Sequence, residues 1–330
     1  MRILAAALLA CLPLTSFAAD TYDARLQAFD YGWPVKTFSF DSQRQPLEMA
    51  YLDVAPAGRQ VGTVVLLHGK NFCAGTWRDA ITALSSAGYR VIAPDQIGFC
   101  SSSKPQGYQF SFAQLAHNTQ ALLEQESIEQ VTVIGHSMGG MLATRLALNY
   151  PQRVEQLVLV NPIGLEDWQA EGVPYASIDQ LYQSELKTNF DSIKAYQQKF
   201  YYNGSWKPEY ERWVGMLAGM YAGDGKEQVA WNQAQTSEMV FTQPVIHEFS
   251  RIRTPTLLLI GGLDRTAPGA NRAPEDVAKR LGNYPELGRQ AAAMIPDATL
   301  VAFPDLGHSP QVEAPEEFHR ALLERLEAQR

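Results

Sequence analysis

Residues 131–150 read VTVIGHSMGGMLATRLALNY. A short apolar, β-branched run leads directly into Gly135-His136-Ser137-Met138-Gly139, which has the form G-x-S-x-G, and an amphipathic segment of helical length follows. A strand, a sharp turn and a helix in this order expose the serine hydroxyl, and the flanking glycines let two backbones approach where a Cβ atom would clash. The stretch therefore predicts that Ser137 is a nucleophile; the alternative is a glycine turn with an incidental serine.

The apolar run before Ser137 is one of six along the chain. Each is typical of a strand buried on both faces, and they occupy residues 63–69, 89–95, 130–137, 154–162, 254–264 and 298–308. Segments 35–40 and 47–54 alternate apolar and polar residues, which indicates an antiparallel hairpin. Helical patterns lie between several of the strands, at 76–87, 112–126, 138–150, 274–281 and 315–327. The pattern predicts an α/β fold with a mainly parallel, doubly wound sheet, whose site lies beyond the carboxyl ends of the strands.

One interval breaks this alternation. Residues 163–253 contain no buried-strand pattern and are rich in aromatic residues. Because the interval is too long for a plain loop, we predict a helical cap, or lid, at 163–253, inserted into a core formed by 19–162 and 254–330. The cap suggests a lid over an apolar pocket, although most of its aromatic side chains are expected simply to pack it against the core.

The first residues, MRILAAALLACLPLTSFAAD, predict a cleaved signal peptide at 1–18. Arg2 precedes a short apolar run, and Ser16 and Ala18 are the small residues that a signal peptidase requires. The run is too short to remain as a membrane span; the alternative is a buried N-terminal helix. We therefore expect a periplasmic or secreted protein with no membrane span in the mature chain.

The composition limits the partners. The 330 residues are 46% hydrophobic and 19% charged, with a formal net charge of −8, which fits a globular protein without a basic surface for nucleic acid or an anionic membrane. We expect a small-molecule substrate, and the oligomeric state stays open. No cofactor is expected, because the sequence has neither a ligand cluster with metal spacing nor a dinucleotide fingerprint.

A serine nucleophile needs a histidine base and an acid that orients it, and this strand-turn-helix setting uses the chain order Ser, Asp or Glu, His. His308 stands in a turn after a strand-like run, whereas His247 and His319 lie in helical surroundings. Asp264 ends the run LLLIGGLD at the carboxyl end of a predicted strand, and Asp305 is the rival acid. We therefore assign His308 as the base and Asp264 as the acid.

The oxyanion of the reaction needs two backbone N–H donors. One comes from the residue after the nucleophile, Met138, and the other from the loop that follows the strand ending at His68-Gly69. We assign the second donor to Lys70. His68 itself is expected to hold the loop.

These motifs together resemble the α/β-hydrolase superfamily, in the lid-bearing branch of serine hydrolases that includes esterases and cofactor-free haloperoxidases. The resemblance covers the mature chain from about Val35, apart from the cap. It implies a Ser137, Asp264, His308 triad with the N–H groups of Lys70 and Met138 as the oxyanion hole. The residues that carry it are His68-Gly69, Asp95-Gln96-Ile97-Gly98-Phe99-Cys100-Ser101, Gly135-His136-Ser137-Met138-Gly139-Gly140, Asp264 and Gly307-His308.

Departures from the superfamily's patterns are informative. Serine at 137 argues against epoxide hydrolases, which use aspartate there, and His68-Gly69-Lys70-Asn71 lacks the glycine-proline-rich sequence of proline iminopeptidases. Cys100 replaces a common glycine, and in this fold the loops containing Cys73 and Cys100 follow neighbouring strands. We therefore predict a Cys73–Cys100 disulfide, the alternative being two buried free thiols.

The sequence thus predicts a serine hydrolase that cleaves a small carboxylic ester, thioester or amide through an acyl-enzyme. One alternative is an aminopeptidase of the proline iminopeptidase type, which needs a carboxylate in the cap; Glu166, Asp167 and Glu171 are candidates. The other is a non-catalytic protein that uses the same fold to bind a small molecule.

Overall fold

The computed structural model describes residues 20–328, so the predicted signal peptide at 1–18 lies outside the described residues. Eight strands form one sheet in the order β1-β2-β4-β3-β5-β6-β7-β8. The first two strands pair antiparallel, β2 pairs antiparallel with β4, and the remaining strands are parallel. The predicted α/β fold is confirmed. The strands are β1 (Val35–Ser42), β2 (Gln45–Val54), β3 (Gly62–Leu67), β4 (Tyr89–Pro94), β5 (Val131–His136), β6 (Val154–Val160), β7 (Thr256–Gly261) and β8 (Ala298–Phe303).

Helices connect the parallel strands and cover the sheet. They are α1 (Arg78–Ser86), α2 (Phe112–Gln125), α3 (Met138–Asn149), α4 (Ile178–Glu185), α5 (Phe190–Tyr196), α6 (Glu211–Ala222), α7 (Lys226–Thr242), α8 (Glu275–Ala278), α9 (Tyr284–Met294), α10 (Pro310–Glu313) and α11 (Pro315–Ala328). Among the described residues, no helix is long and apolar enough to cross a bilayer.

The core lies on both faces of the central strands. Strands β5 and β7 are buried along their whole length, as continuous apolar runs predict. The prediction is wrong for β8, which is partly exposed because it is an edge strand with β7 as its only neighbour. It is also wrong for the helix predicted at 274–281, where only the short α8 forms, while α9 (Tyr284–Met294) went unrecognised.

The helices α4 to α7 all lie between β6 and β7. The N-terminal segment of the described chain ties them to the core: the Tyr22 N–H donates to the Gly219 carbonyl of α6 at 3.0 Å. Asp30 lies between Arg78 of α1 and Arg212 of α6, at 3.1 and 3.4 Å from their guanidinium nitrogens. Residues 20–30 therefore act as a strap that fixes α6 against the core.

The structure contains the predicted disulfide between Cys73 and Cys100, whose Cα atoms are 6.0 Å apart. A buried carboxylate joins the same two loops, because Asp95 accepts hydrogen bonds from the N–H groups of Ala74 at 2.7 Å and Ser101 at 3.0 Å. The loop after β3, which leads from Lys70 to Cys73, is thus fastened to the loop after β4.

Replacing both cysteines by alanine should lower the free energy of unfolding by about 2–4 kcal/mol, because the bond closes a loop of 27 residues in the unfolded chain. Urea denaturation of the mature protein measures this loss. Wild type reduced with dithiothreitol is the control and should unfold at the same urea concentration as the double variant. Equal stability of the oxidised wild type and the variant would contradict the prediction.

Candidate active site

Ser137 occupies the turn between β5 and α3 in a strained conformation, with φ 56° and ψ −121°. The surrounding backbone holds it there: its N–H donates to Val160 at 3.1 Å, and its carbonyl accepts from Gly140 at 2.9 Å. A Cβ atom on Gly139 would overlap the carbonyl of Leu67. The close approach of β3 to the start of α3 therefore requires the second glycine of the G-x-S-x-G pattern.

His308 and Asp264 form a fully buried pair. Nδ1 of His308 lies 2.6 Å from Oδ2 of Asp264, and both side chains are 0% exposed. A carboxylate only accepts, so Nδ1 carries the hydrogen of this contact, and in the neutral imidazole Nε2 then has the free lone pair. Within residues 20–328, this Nε2 is buried without a hydrogen-bond partner. The imidazole is thus held in the tautomer that a general base requires.

Two further contacts orient Asp264. The side-chain amide of Asn161 donates to Oδ2 at 2.9 Å, and the N–H of Thr266 donates to Oδ1 at 2.8 Å. The Oδ1 of Asn161 in turn accepts from the N–H of Gly261 at 2.9 Å. Asn161, at the carboxyl end of β6, therefore fixes the carboxylate against the neighbouring strand β7.

His136 links the turn of Ser137 to the loop that contains His308. Its Nε2 lies 2.8 Å from the carbonyl oxygen of His308, which makes it the donor. Burial lowers the pKa of His136 well below its ordinary value, so this imidazole stays neutral. The N–H of His308 donates to the Tyr201 carbonyl at 2.8 Å. No hydrogen bond joins Ser137 to His308 in the described chain, and such bonds are often loose before substrate binds.

The two predicted oxyanion residues flank Ser137. Met138 is the first residue of α3, so its N–H has no acceptor within the helix. A Cβ atom on Gly69 would lie 3.0 Å from Cβ of Ser137, which places the loop containing Lys70 directly beside the serine. His68 accepts the Gln96 N–H at 3.1 Å through Nε2, in keeping with a structural role.

Ser137 opens into a cavity of about 390 Å³ between the sheet and α4 to α7. The side chain of Lys70 reaches this cavity but is paired: its Nζ lies 2.9 Å from Oε1 of Glu185 on α4. The hydroxyl of Tyr221 donates to the other oxygen of Glu185 at 2.5 Å. The lining includes Tyr175, Ile193, Tyr196, Tyr201, Leu217 and Phe241.

The rival residues lie elsewhere. His247 is exposed and pairs with Asp167 at 2.8 Å, His319 is buried within α11, and Asp305 is exposed. The carboxylate that pairs with His308 is that of Asp264, not that of Asp305.

Glu313, at the end of α10, was not singled out from the sequence. Its Oε1 accepts from the N–H of Gly307 at 2.8 Å, and its backbone N–H donates to the Ser309 carbonyl at 2.9 Å. Glu313 thus contacts both neighbours of His308, one through its carboxyl group and one through its backbone. Burial raises the pKa of Glu313 to about 7.

Glu313→Gln should remove a pH dependence of stability. The pKa of this carboxyl is about 7 in the folded protein against an ordinary value of 4.5. Between pH 4.5 and 7 the folded protein therefore binds more protons than the unfolded chain does. Its free energy of unfolding falls as the pH rises through this range. Urea titrations should show wild type losing on the order of 2 kcal/mol more than the variant between pH 5 and pH 8.

The control for this comparison is Glu317→Gln, which changes an exposed carboxyl on α11. It should retain the pH dependence of the wild type. Identical pH dependence in wild type and Glu313→Gln would contradict the interpretation of Glu313 as a buried carboxyl that ionises near neutral pH.

Comparisons with known proteins identify the family of the chain. Residues 62–315 match the family described as the alpha/beta hydrolase fold. The crystal structure of a probable hydrolytic enzyme from Pseudomonas aeruginosa PAO1 is 61% identical and superposes with a TM-score of 0.92, covering 93% of this chain and 98% of that one. An AB hydrolase superfamily protein of Bacillus subtilis (strain 168) is 43% identical over 113 residues, and the match spans 39% of its length.

Two longer matches are with curated hydrolases. The 2-hydroxy-6-oxononadienedioate/2-hydroxy-6-oxononatrienedioate hydrolase of Paraburkholderia xenovorans (strain LB400) is 31% identical over 276 residues, which cover 81% of this chain and 88% of that protein. Lipase 1 of Psychrobacter immobilis is 27% identical over 318 residues, covering 89% and 90%. The family match extends over more than half of the chain and includes Ser137, Asp264 and His308. This protein therefore belongs to the alpha/beta hydrolase family.

Proposed function

We propose that this protein is a serine hydrolase that cleaves carboxylic esters, with Ser137 as nucleophile, His308 as base and Asp264 as the orienting acid. One observation carries the proposal: the buried His308–Asp264 pair presents an unpaired Nε2 at the carboxyl ends of the strands, where the strained turn holds Ser137. A proton acceptor of this kind is what a serine hydroxyl requires at neutral pH.

The reaction follows from these positions. Nε2 of His308 takes the proton of Ser137 as Oγ attacks the ester carbonyl, and Asp264 stabilises the imidazolium that forms. The N–H groups of Met138 and Lys70 stabilise the oxyanion of the tetrahedral intermediate. His308 then gives the proton to the leaving alcohol, and water attacks the acyl-enzyme by the same route, which regenerates the serine and releases the acid.

Esters are stronger substrate candidates than peptides with a free amino terminus, because of the charged residues around the cavity. An aminopeptidase needs an unpaired carboxylate for the substrate ammonium, yet Glu185 on the cavity wall is already paired with Lys70. Glu166 accepts hydrogen bonds from Trp168 and Gly282, and Asp167 pairs with His247. Glu171 is exposed and is not among the residues that line the cavity, whereas Glu238 does line it and is the remaining candidate. An aminopeptidase is thus the second candidate.

We further propose that α4 to α7 form a lid over the site and that the protein works in the periplasm or outside the cell. Residues from all four helices line the cavity above Ser137. The Cys73–Cys100 disulfide supports an oxidising compartment, since such bonds are rare in the cytosol.

The test combines a rate assay and a covalent label. Hydrolysis is measured for 4-nitrophenyl esters from acetate to octanoate, beside proline and alanine 4-nitroanilides, and a fluorophosphonate probe is mapped by mass spectrometry. We expect ester turnover and a label on Ser137. Turnover of the anilides alone would favour the aminopeptidase, and absence of both turnover and label would favour the non-catalytic binding protein.

A further inference from the structure

Arg272 lies in the wall of the cavity that contains Ser137. It ends the short turn Ala270–Arg272, between β7 and α8. Its Cζ atom stands 5.4 Å from the ring centroid of Phe241 on α7, which also lines the cavity, and its Nε donates to the Pro174 carbonyl at 3.3 Å. The guanidinium thus lies between the core and the helical segment above it.

This cation has no carboxylate partner in the part of the chain that the structure describes. Burial lowers the pKa of Arg272, and no acidic side chain offsets the effect. The other cation of the cavity, Lys70, is paired with Glu185. Partial desolvation of a charge without a counterion costs free energy. An anion that enters the cavity would offset this desolvation cost of Arg272, which the folded protein already bears.

The guanidinium is also held in place. A Cβ atom on Gly269, which has φ +82°, would lie 2.7 Å from Nη2 of Arg272. With Nε used by Pro174, the N–H groups on Nη1 and Nη2 remain as donors. A planar pair of nitrogen donors matches the two oxygens of a carboxylate.

We infer that Arg272 is a subsite for a carboxylate, so that the substrate is an ester that carries a free carboxylate on its acyl or alcohol part. This inference rests on the proposed function, because it concerns the substrate of the same site. Glu238 lines the cavity as well and would repel an anion. The carboxylate is therefore expected beside Arg272 and Phe241.

Binding to the Ser137→Ala variant tests the subsite without requiring turnover. The probes are monobenzyl glutarate, which is anionic, and benzyl methyl glutarate, its neutral diester, compared by isothermal titration calorimetry. We expect the acid to bind at least about tenfold more tightly than the diester, as a charge-assisted hydrogen bond provides. Adding Arg272→Gln should abolish this preference, and Arg272→Lys should retain part of it.

Glu238→Gln in the same background is the matched control, since it removes the other unpaired charge of the cavity; the preference for the acid should stay or increase. Equal affinity for acid and diester, no detectable binding of the acid, or a preference that survives Arg272→Gln would each overturn the inference. These outcomes are distinguishable from failure of the proposed function, which is judged by hydrolysis of neutral 4-nitrophenyl esters and by labelling of Ser137.

Discussion

Ser137→Ala should reduce kcat for 4-nitrophenyl ester hydrolysis by about 10⁴- to 10⁶-fold. The substitution removes the oxygen that the proposed acyl-enzyme requires, while the strained turn that holds residue 137 is fixed by backbone contacts to Val160 and Gly140 and should persist. Residual catalysis comes from the oxyanion donors and from binding. Steady-state kinetics measures the loss, and circular dichroism shows whether the fold is retained.

Ser309→Ala is the matched control for this prediction. Ser309 is also a buried serine, it follows His308 directly, and its hydroxyl has no hydrogen-bond partner in the described chain. Removing that hydroxyl should change kcat little. Full activity of Ser137→Ala would contradict the assignment of Ser137 as the nucleophile. A large loss of kcat in Ser309→Ala alone would instead indicate a role for the loop that contains His308 and Ser309.

The fold could be predicted because its buried strands are chemically distinctive. Strands β3 to β7 consist mainly of apolar residues, a pattern set by burial on both faces, and the segments between several of them have apolar residues at helical spacing. The exceptions have local causes. Helix α9 begins with Tyr284-Pro285 and contains Gly288, two residues that weaken a helical pattern even though proline is tolerated in a first turn.

Residues of the candidate site could be predicted only where they lie at or just after the end of a strand, within a recognisable motif. Ser137 directly follows β5, and Asp264 and His308 lie in the loops after β7 and β8, where their side chains contact each other. Asn161 also ends a strand, in the sequence VLVNP, and could have been noticed on that ground. Glu313 could not, because its role depends on how the chain turns back from α10 toward Gly307 and Ser309 on both sides of His308.

Which charged residues of the cavity are paired could not be predicted from the sequence either. Lys70 and Glu185 are 115 residues apart and come from the core and from α4. Arg272 was not distinguished from other surface arginines, because its lack of a partner is visible only once Phe241 and Gly269 surround it. Pairing between distant segments thus decides which charges remain available for a ligand.

Asp264→Asn should lower kcat for ester hydrolysis by about 10⁴-fold while leaving the fold intact. The carboxylate accepts from His308, Asn161 and Thr266 at once. Asparagine has a single acceptor oxygen. When that oxygen accepts from Thr266, the amide NH₂ takes the place of Oδ2 and faces both His308 and Asn161. Nδ1 of His308 then becomes the acceptor and the hydrogen moves to Nε2, which can no longer take the proton of Ser137. The control is Asp305→Asn, an exposed acid near the same histidine in sequence, which should retain wild-type kcat. Retention of activity in Asp264→Asn together with loss in Asp305→Asn would assign the orienting role to Asp305 instead.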